Sequence, residues 1–450
     1  MPTDFRSFLR LLEDKNDLVH VTREVSPDFE VAAGMRRTSD LKGPALWFDH
    51  VTGSGIPAVG AVYGVRRRAI WGFDTTDAEY PDKFMNGLRN PIAPQVVEDG
   101  PCKEVVLLGD DADFGLLPIC SHNRLDNGRF ITMGLTIAAH PEFGTNVSIS
   151  RMQIHDGKHA GILSVPPQHL GVYFQEFEAR GESLPMAVAL GVDPYTTMAS
   201  GFKGNIYLDE YTIAGGWMGR PLDVVKCETS DVLVPAESEI VIEGELVAGE
   251  RRLEGPFGEV PGYYSPAGQR PVFRLKAITH RQNPVYLAGL TGRPQTDNHV
   301  IRDLTYEPII RDRIRQLCPG VRDVYAIEGS AGKHIAVSIK PTFASQARDV
   351  MMAALTTERI RPKLVVVVED DIDVRDPAQL QWAMTFRVQA DRDVLIIPGM
   401  VGQALDPSTP KPGVGTVMAI DATRPYGEPF WEVTDVPGAE SFEIPLPARS

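Results

Sequence analysis

The sequence predicts a multi-domain protein of the mixed α/β (α+β) class, and three observations lead to that prediction. A chain of 450 residues is too long for one ordinary hydrophobic core. Helical and strand-like stretches alternate towards both ends of the chain, whereas residues 115–300 hold many short strand-like runs separated by Gly, Pro, Asn and Asp. Many short strands separated by turn residues favour an antiparallel sheet or a split β-barrel. We therefore expect an N-terminal α/β domain (1–112), a central split-barrel domain (113–297), a linker helix (298–320) and a C-terminal α/β domain (321–450).

The sequence predicts several helices and strands in the first two thirds of the chain. Residues 4–14 place apolar side chains on one helical face, with Asp4 as a suitable N-cap. Residues 167–181 predict a second helix that Gly181 closes. Strands are predicted at 45–48, 59–62, 130–133, 146–150, 239–247 and 272–279.

The last third predicts a second α/β unit. Residues 298–317 suit a helix that breaks or restarts near Pro308. After residue 400 the chain is rich in Pro and Gly, and we expect it to wrap a surface or a partner. Strands at 324–327, 335–339 and 363–368 and a helix near 343–355 complete this unit.

Charge and cysteine usage exclude several classes of protein. The formal net charge of −15 argues against non-specific nucleic-acid binding, and an anionic substrate would need a local basic pocket. No apolar run is long enough to cross a membrane, and the N-terminal residues lack the apolar core of a secretory signal. The cysteines (Cys102, Cys120, Cys227 and Cys318) are too scattered for a disulfide framework or a zinc site. We expect reduced thiols and a cytoplasmic protein.

Three motif-like stretches are discounted. Residues 329–334 resemble a fragment of a phosphate-binding loop, but the first Gly is misplaced and His334 stands where Ser or Thr is needed. His155 and His159 flank an Asp-Gly turn, which indicates a solvated hairpin tip and not a zinc helix. The acidic run 369–373 indicates a strand end with solvated carboxylates.

Two stretches have the residue types of a catalytic site. Glu254 and Glu259 bracket Gly-Pro-Phe-Gly, whose Gly and Pro fix a tight backbone that could hold two carboxylates at a set separation. Residues 144–151 end in Arg151 and alternate polar with apolar side chains. Spacing alone leaves open that the first is a polar turn and the second a sheet with one polar face.

Taken together and in order, these stretches resemble the UbiD-like family of reversible decarboxylases that use prenylated flavin mononucleotide (prenylated FMN). The family motif N-x-x-x-x-R matches Asn146 to Arg151, and the motif E-G-P-[FYM]-G-[ED] matches Glu254 to Glu259. Between them, His169 and Glu210 match the metal-binding His and Glu. Further matches are 224–227, 233–244, 291–294 and 362–373, so the resemblance covers most of the chain.

This resemblance implies a cofactor site in a central domain of the flavin-reductase-like split-barrel type. Asn146, His169 and Glu210 would bind a divalent ion, typically Mn²⁺, that bridges to the flavin phosphate. A K⁺ ion near Ser200 and Glu210 would accompany it, and Lys363 matches a position expected near the phosphate. The full set expected to contact the cofactor is Asn146, Ser148, Ile149, Ser150, Arg151, Gln168, His169, Ser200 and Lys363.

The resemblance also implies the chemistry. An aromatic, heteroaromatic or α,β-unsaturated acid would form a covalent adduct with prenylated FMN, which acts as the electron sink for loss of CO2. Arg151 would hold the carboxylate, Glu254 would orient Arg151, and Glu259 would be the proton donor, which requires a raised pKa.

Substrate choice and partners are the least specified part. Asn298, His299 and Arg302 could recognise a second polar group, which favours furan- or pyrrole-type or phenolic carboxylates; alternatively they form a solvated helix start capped by Asp297 or Asn298. We expect a UbiX-like flavin prenyltransferase as cofactor supplier and a homodimer or higher homo-oligomer. The alternatives are an FMN-dependent oxidoreductase on a split barrel and a non-catalytic subunit of a carboxylase complex.

Overall fold

The computed structural model describes residues 2–164, 166–357, 360–409, 411–438 and 441. The helices, in chain order, are α1 Phe5–Asp14, α2 Glu30–Asp40, α3 Arg66–Gly72, α4 Tyr80–Arg89, α5 His169–Ala179, α6 Pro194–Gly201, α7 Glu210–Met218, α8 Asp297–Arg315, α9 Gln346–Leu355, α10 Pro377–Phe386 and α11 Ala390–Asp393. The strands before the middle of the chain are β1 Leu18–Val25, β2 Ala45–Val51, β3 Ala58–Gly60, β4 Gln95–Val97, β5 Val105–Leu108, β6 Phe130–Ile131, β7 Leu135–His140, β8 Gly144–Ile149, β9 Met152–Ile154, β10 His159–Ile162 and β11 Leu184–Leu190. Those after it are β12 Asp223–Lys226, β13 Leu233–Pro235, β14 Ile240–Glu254, β15 Phe257–Gly258, β16 Tyr264–Ser265, β17 Gly268–His280, β18 Tyr286–Ala288, β19 Val321–Ala326, β20 His334–Ile339, β21 Leu364–Glu369, β22 Val394–Val401 and β23 Val414–Asp421.

The N-terminal part is a small sheet with helices packed beside it. Asp4 caps α1 as predicted, because its carboxylate accepts the Ser7 amide at 2.7 Å, and α1 buries Phe5 and Phe8. The strand order is β1-β2-β3-β18, so a strand from beyond residue 280 completes this sheet. Conversely, β4 pairs with β12 and β5 pairs with β17, so two strands from the range predicted as N-terminal belong to central sheets.

The central part is built on one large, mostly antiparallel sheet. Its strand order is β6-β9-β10-β17-β14-β11-β7-β8, with β5 added to β17. Among the described residues this path is open and does not close into a barrel, so the split-barrel prediction is not confirmed. Helices α5, α6 and α7 pack around β8 at one end of the sheet, and this end forms the candidate site described below.

The C-terminal part is a five-stranded sheet of order β19-β20-β21-β23-β22, with α8 and α9 packed against it. The expectation that the chain after residue 400 only wraps a surface is wrong, because β23 inserts between β21 and β22. The acidic run at the end of β21 is also not simply solvated. Glu369 accepts Arg424 Nε at 2.6 Å, and Asp371 accepts Arg387 Nη2 at 2.7 Å.

The predicted break at Pro308 is wrong, since α8 continues through it. Proline has no amide hydrogen, so the carbonyl of Leu304, four residues earlier, loses its helical donor. The hydroxyl of Tyr80, which is fully buried, donates to that carbonyl at 3.1 Å. A tertiary hydrogen bond therefore replaces the one that proline removes.

We expect Tyr80→Phe to destabilise the protein by about 1–3 kcal/mol, because it leaves the buried Leu304 carbonyl without a donor. Thermal and denaturant unfolding of the variant would measure this loss. Tyr207→Phe is the matched control, because the Tyr207 side chain is exposed. Equal stability of the two variants would contradict the assigned role of Tyr80.

Other local predictions are confirmed. Gly181 adopts a left-handed φ of 73° after α5, and β9 and β10 form the hairpin whose tip carries Asp156. The four cysteines are buried and free. In the part of the chain that the structure describes, no helix is both long and apolar enough to cross a membrane.

Candidate active site

A cavity of about 450 Å³ lies between β8 and the C-terminal sheet. The predicted residues that line it are Asn146, Ser148, Ile149, Ser150, Gln168, His169, Ser200, Glu210 and Arg302. Three helices that surround β8 each contribute to this set: His169 begins α5, Ser200 lies in the last turn of α6, and Glu210 begins α7. From the other side, Lys333, Arg361 and Gln403 close the cavity. Most of the residues that the resemblance assigned to the cofactor thus surround one cavity.

Strand β8 presents a short row of polar side chains to the cavity. Side chains two residues apart on a strand share a face, so Asn146 and Ser148 lie side by side, and the Asn146 amide donates to Ser148 Oγ at 3.2 Å. The hydroxyl oxygen of Thr136, on the neighbouring strand β7, lies 3.1 Å from that of Ser148. The Asn146 amide nitrogen is thus engaged by Ser148.

Glu210 is the clearest indication of a cation site. Its carboxylate is 4% exposed and accepts the Val147 amide at 2.8 Å. Burial raises the pKa of Glu210 to about 8, and the hydrogen bond from Val147 only partly opposes that rise. A buried carboxylate of this kind is stabilised by a bound cation, so the donor set fits a metal ion.

An amide, an imidazole and a carboxylate line the same cavity. Among the described residues, no group of three or more His, Cys, Asp and Glu side chains could hold a metal ion. The three side chains that the resemblance assigned to the metal, Asn146, His169 and Glu210, all line the cavity. Nitrogen and oxygen donors suit Mn²⁺ and similar ions, and phosphate or water oxygens complete such a shell.

We expect the wild-type protein without metal to lose free energy of unfolding relative to Glu210→Gln as pH rises. A carboxyl that ionises near 4.5 when unfolded and at about 8 when folded contributes stability that is present below pH 4.5 and is lost through pH 8. Thermal melts from about pH 5 to about pH 8, with and without MnCl2, measure this difference. Added Mn²⁺ should raise the melting temperature of wild type most at the upper end of that range. An Mn²⁺ shift of equal size in Glu210→Gln would contradict the site.

Arg151, Glu254 and Glu259 come together as the resemblance implied. Arg151 Nε and Nη2 contact the two oxygens of Glu254 at 3.0 and 3.1 Å, and Nη1 donates to Glu259 Oε1. The Glu254 side chain is fully buried and that of Glu259 is 10% exposed. The Arg151 guanidinium also lies 5.4 Å from the centre of the Phe257 ring. One guanidinium fork therefore bridges both carboxylates in a nearly dry environment.

The electrostatics of Glu259 fit a proton donor. Burial raises the pKa of Glu259 above its usual value, while the charges of Arg151 and Arg302 oppose the rise. Arg151, Glu254 and Glu259 do not themselves line the cavity, but Ser150, directly before Arg151, does, and so does Arg302, whose charge acts on Glu259. A carboxyl with a raised pKa next to a cavity can deliver a proton to a molecule bound there.

Some predicted residues do not line this cavity. Lys363 lies on the wall of an adjacent space of about 330 Å³ and donates to Asp406 at 2.6 Å. His299 is 1% exposed and its Nδ1 is 2.7 Å from Thr296 Oγ1; burial lowers the pKa of His299 to about 3. Asn298 does not line the cavity either. The alternative of a solvated, side-chain-capped helix start is also wrong, because Thr296 is the N-cap and Asp297 is buried.

Lys333 is the residue that motif reasoning missed. It belongs to the stretch discounted as a phosphate loop, and that rejection stands, because the stretch joins β19 to β20 and no helix follows it. Nevertheless Lys333 lines the cavity and donates to the Arg361 carbonyl at 3.2 Å. Burial and the charge of Arg302 lower the pKa of Lys333 to about 8. The only signal in the sequence was the resemblance of residues 329–334 to part of a phosphate-binding loop, and the spacing of that stretch gave reason to reject it.

Fold and site together define a UbiD-class (de)carboxylase, and the chain belongs to the UbiD family. Family models for 3-octaprenyl-4-hydroxybenzoate carboxy-lyase match the N-terminal domain at residues 9–88, the Rift-related domain at 95–294 and the C-terminal domain at 299–422.

Among solved structures, the UbiD-class enzyme HmfF from Pelotomaculum thermopropionicum in complex with FMN is 36% identical, with 98% of this chain and 99% of that chain covered and a TM-score of 0.91. An evolved dimeric form of HmfF in complex with prFMN is 34% identical, with coverage of 98% and 99% and a TM-score of 0.89. Vanillic acid decarboxylase of Sedimentibacter hydroxybenzoicus is 31% identical, with 97% of each chain covered and a TM-score of 0.89.

Proposed function

We propose that this chain catalyses the reversible non-oxidative decarboxylation of an aromatic, heteroaromatic or α,β-unsaturated carboxylic acid with prenylated FMN as cofactor. The observation that carries the proposal is the pairing of Arg151 with two buried carboxylates, Glu254 and Glu259. The neighbouring cavity is lined by Asn146, His169 and Glu210, whose side chains are of the types that bind metal ions. When bound, prenylated FMN would supply the electron sink for loss of CO2. Arg151 holds the substrate carboxylate, Glu254 orients Arg151, and Glu259 returns a proton to the carbon that lost CO2.

The cofactor phosphate is assigned to the end of the cavity lined by Asn146, His169 and Glu210. These residues would hold Mn²⁺ or a similar divalent ion, and a K⁺ ion would lie near Ser200 and Glu210. The structures of HmfF were determined with FMN and with prFMN, which supports a flavin at the corresponding place here. Lys333 lines this cavity and Lys363 does not, so we assign the predicted basic phosphate contact to Lys333.

The substrate is proposed to carry a second polar group besides its carboxylate. Of the three side chains predicted to recognise such a group, Arg302 lines the cavity and we assign the role to it. A guanidinium suits a second carboxylate, a phenolic oxygen or a ring heteroatom. Furan-type, pyrrole-type and phenolic acids remain the favoured substrates, and vanillic acid decarboxylase shows by its name that one relative acts on a phenolic acid.

The proposal extends to partners and organisation. A UbiX-like flavin prenyltransferase would supply the cofactor.

Large apolar side chains are exposed on the C-terminal part, which supports homo-oligomerisation through that region: Trp382, Phe386, Ile396, Trp431 and Val436. The four buried thiols support a cytoplasmic location. The division into N-terminal, central, linker and C-terminal units is also kept as a proposal, with the first boundary before β4.

The two alternatives are not favoured. A non-catalytic subunit has no need of the Arg151 triad, which is complete here. An FMN-dependent oxidoreductase on a split barrel finds no support among the similar solved structures named above, which are UbiD-class enzymes and a decarboxylase.

The experiment is co-expression with a flavin prenyltransferase, followed by absorbance and mass spectra of the bound flavin and CO2 release from a panel of acids. The panel holds furan, pyrrole, phenolic and cinnamic carboxylates. Protein made without the prenyltransferase is the control, and we expect turnover only in the co-expressed sample. A cofactor-loaded protein that is inert towards the whole panel, or that oxidises NADH with unmodified FMN, would contradict the proposal.

A further inference from the structure

The turn between the two catalytic carboxylates is held by side chains that the triad does not include. Residues 255–258 run from the end of β14 into β15, and Gly255 has a left-handed φ of 84°. The amides at the two ends of this turn donate to side chains and not to a neighbouring strand. Gly255 N donates to Gln153 Oε1 at 2.8 Å, and Gly258 N donates to Asp126 Oδ1 at 2.7 Å.

Gln153 connects the turn to β9, the strand that begins directly after Arg151. It lies two residues after Arg151, inside that strand. Gln153 is 4% exposed, and its Nε2 donates to the Asn127 carbonyl while its Oε1 accepts Gly255 N. Both ends of this amide are therefore used. Gly255, directly after Glu254, is therefore hydrogen-bonded to the strand that follows Arg151 in the chain.

Asp126 fixes the other end of the turn, next to Glu259. One carboxylate oxygen accepts Gly258 N, and the other accepts the Asn123 amide at 2.8 Å. The Asn127 amide adds a bond to the Pro256 carbonyl at 3.0 Å. Packing is close here, because a Cβ on Gly258 would lie 2.4 Å from Asn123 Nδ2. The loop 123–127 thus supports the turn along its length.

We propose that Gln153 and Asp126 are positioning residues that set the separation of Glu254 and Glu259 around Arg151. They do not touch the reacting atoms; they act through the backbone of the turn. Because the roles of Glu254 and Glu259 belong to the proposed function, the catalytic part of this inference rests on it. The structural part, that these two side chains hold the turn, is independent of the proposed function.

Gln153→Leu and Asp126→Asn test the inference, and Gln269→Leu is the matched control. Gln269 pairs with Leu253, next to Glu254, but its side chain is exposed and outside the hydrogen bonds that hold the turn. Hydrogen–deuterium exchange of the peptide spanning 252–262 is measured first, on the full-length chain as purified. We expect exchange in that peptide to become about tenfold faster in Gln153→Leu, with a smaller change in Asp126→Asn, where one acceptor oxygen is retained. No change is expected in Gln269→Leu.

The kinetic arm uses whichever acid of the panel releases CO2 with the wild type. Displacement of a reacting group by about 1 Å costs about 100-fold, so we expect kcat of Gln153→Leu to fall by about 10- to 100-fold with KM within about threefold. The melting temperature and the flavin content are measured for each variant, so that unfolding is recognised. Unchanged exchange in both variants overturns the inference, as does faster exchange with unchanged kcat. If the wild type is inert on every acid, the proposed function fails, and the exchange arm still decides whether the two side chains hold the turn.

Discussion

Replacing Glu259 by glutamine is expected to lower kcat by about 10²- to 10⁴-fold, the usual contribution of a positioned general acid. Burial raises the pKa of the Glu259 carboxyl, and the charge of Arg302, which lines the cavity, acts on it. Glutamine keeps the size and one acceptor for Arg151 but cannot transfer a proton. Flavin and Mn²⁺ content should therefore equal those of wild type, and this equality is the control. Turnover within a factor of about three of wild type would remove Glu259 from the proton-transfer role.

The same carboxyl determines how the rate of decarboxylation depends on pH. Burial raises the pKa of Glu259, so a larger fraction of it is protonated at neutral pH than of an ordinary glutamate. Because the proposed role needs the protonated form, kcat falls as pH rises through that raised pKa. Arg302→Gln removes a charge that lowers the pKa of Glu259, so this fall should move to higher pH.

Replacing Arg151 by methionine is the change that we expect to reduce stability most. It leaves the fully buried Glu254 carboxylate without its two bonds from the guanidinium, and breaking a buried ion pair from one side costs about 3–5 kcal/mol. Decarboxylation should be lost as well, because no group remains to hold the substrate carboxylate.

The double variant Arg151→Met with Glu254→Gln separates the two effects. Neutralising Glu254 removes the uncompensated charge, so the double variant should regain a substantial part of the lost stability, and it should stay inactive. Equilibrium unfolding of the two variants, followed by far-UV circular dichroism, provides the comparison. If Arg151→Met is as stable as wild type, the buried pair does not exist as described.

Local pattern was sufficient for much of the fold. The capped helix at residues 5–14, the helix closed by Gly181 and the hairpin at Asp156 were predicted because capping, glycine and turn chemistry act within a few residues. The continuation of α8 through Pro308 was not predictable in that way. It depends on Tyr80, more than two hundred residues earlier in the chain.

The strand β23 was missed for a related reason. Its surroundings are rich in Pro and Gly, which locally favours a loop, but the sheet offers parallel pairing with β21 and antiparallel pairing with β22. Tertiary pairing of this kind overrides local composition. The same holds for the ion pairs of Glu369, whose partner Arg424 lies far along the chain.

The candidate site was predictable through resemblance and not through spacing. Asn146, His169 and Glu210 are far apart in the sequence, and only their order identified them; the fold brings them to one cavity because α5 and α7 pack on β8. The positions of Lys333 and Lys363 show that a sequence match does not predict which lysine side chain lines the cavity. Both are lysines of the C-terminal part, but Asp406 holds Lys363 in the adjacent space, and a sequence match cannot reveal such a competing partner.

The most direct test is whether the carbon that loses CO2 takes up a solvent-derived proton at the wild-type rate only when Glu259 is present. Wild-type protein loaded with prenylated FMN and Mn²⁺ is given an active acid of the panel in D2O, and the product is analysed for deuterium at the carbon that bore the carboxylate. In a second sample the enzyme is given only the decarboxylated product in D2O, and exchange of hydrogen for deuterium at the same carbon is measured. We expect one deuterium at that carbon with wild type, and incorporation about 10²- to 10⁴-fold slower with Glu259→Gln. Equal rates of deuterium incorporation by the two proteins would contradict the role of Glu259 as proton donor.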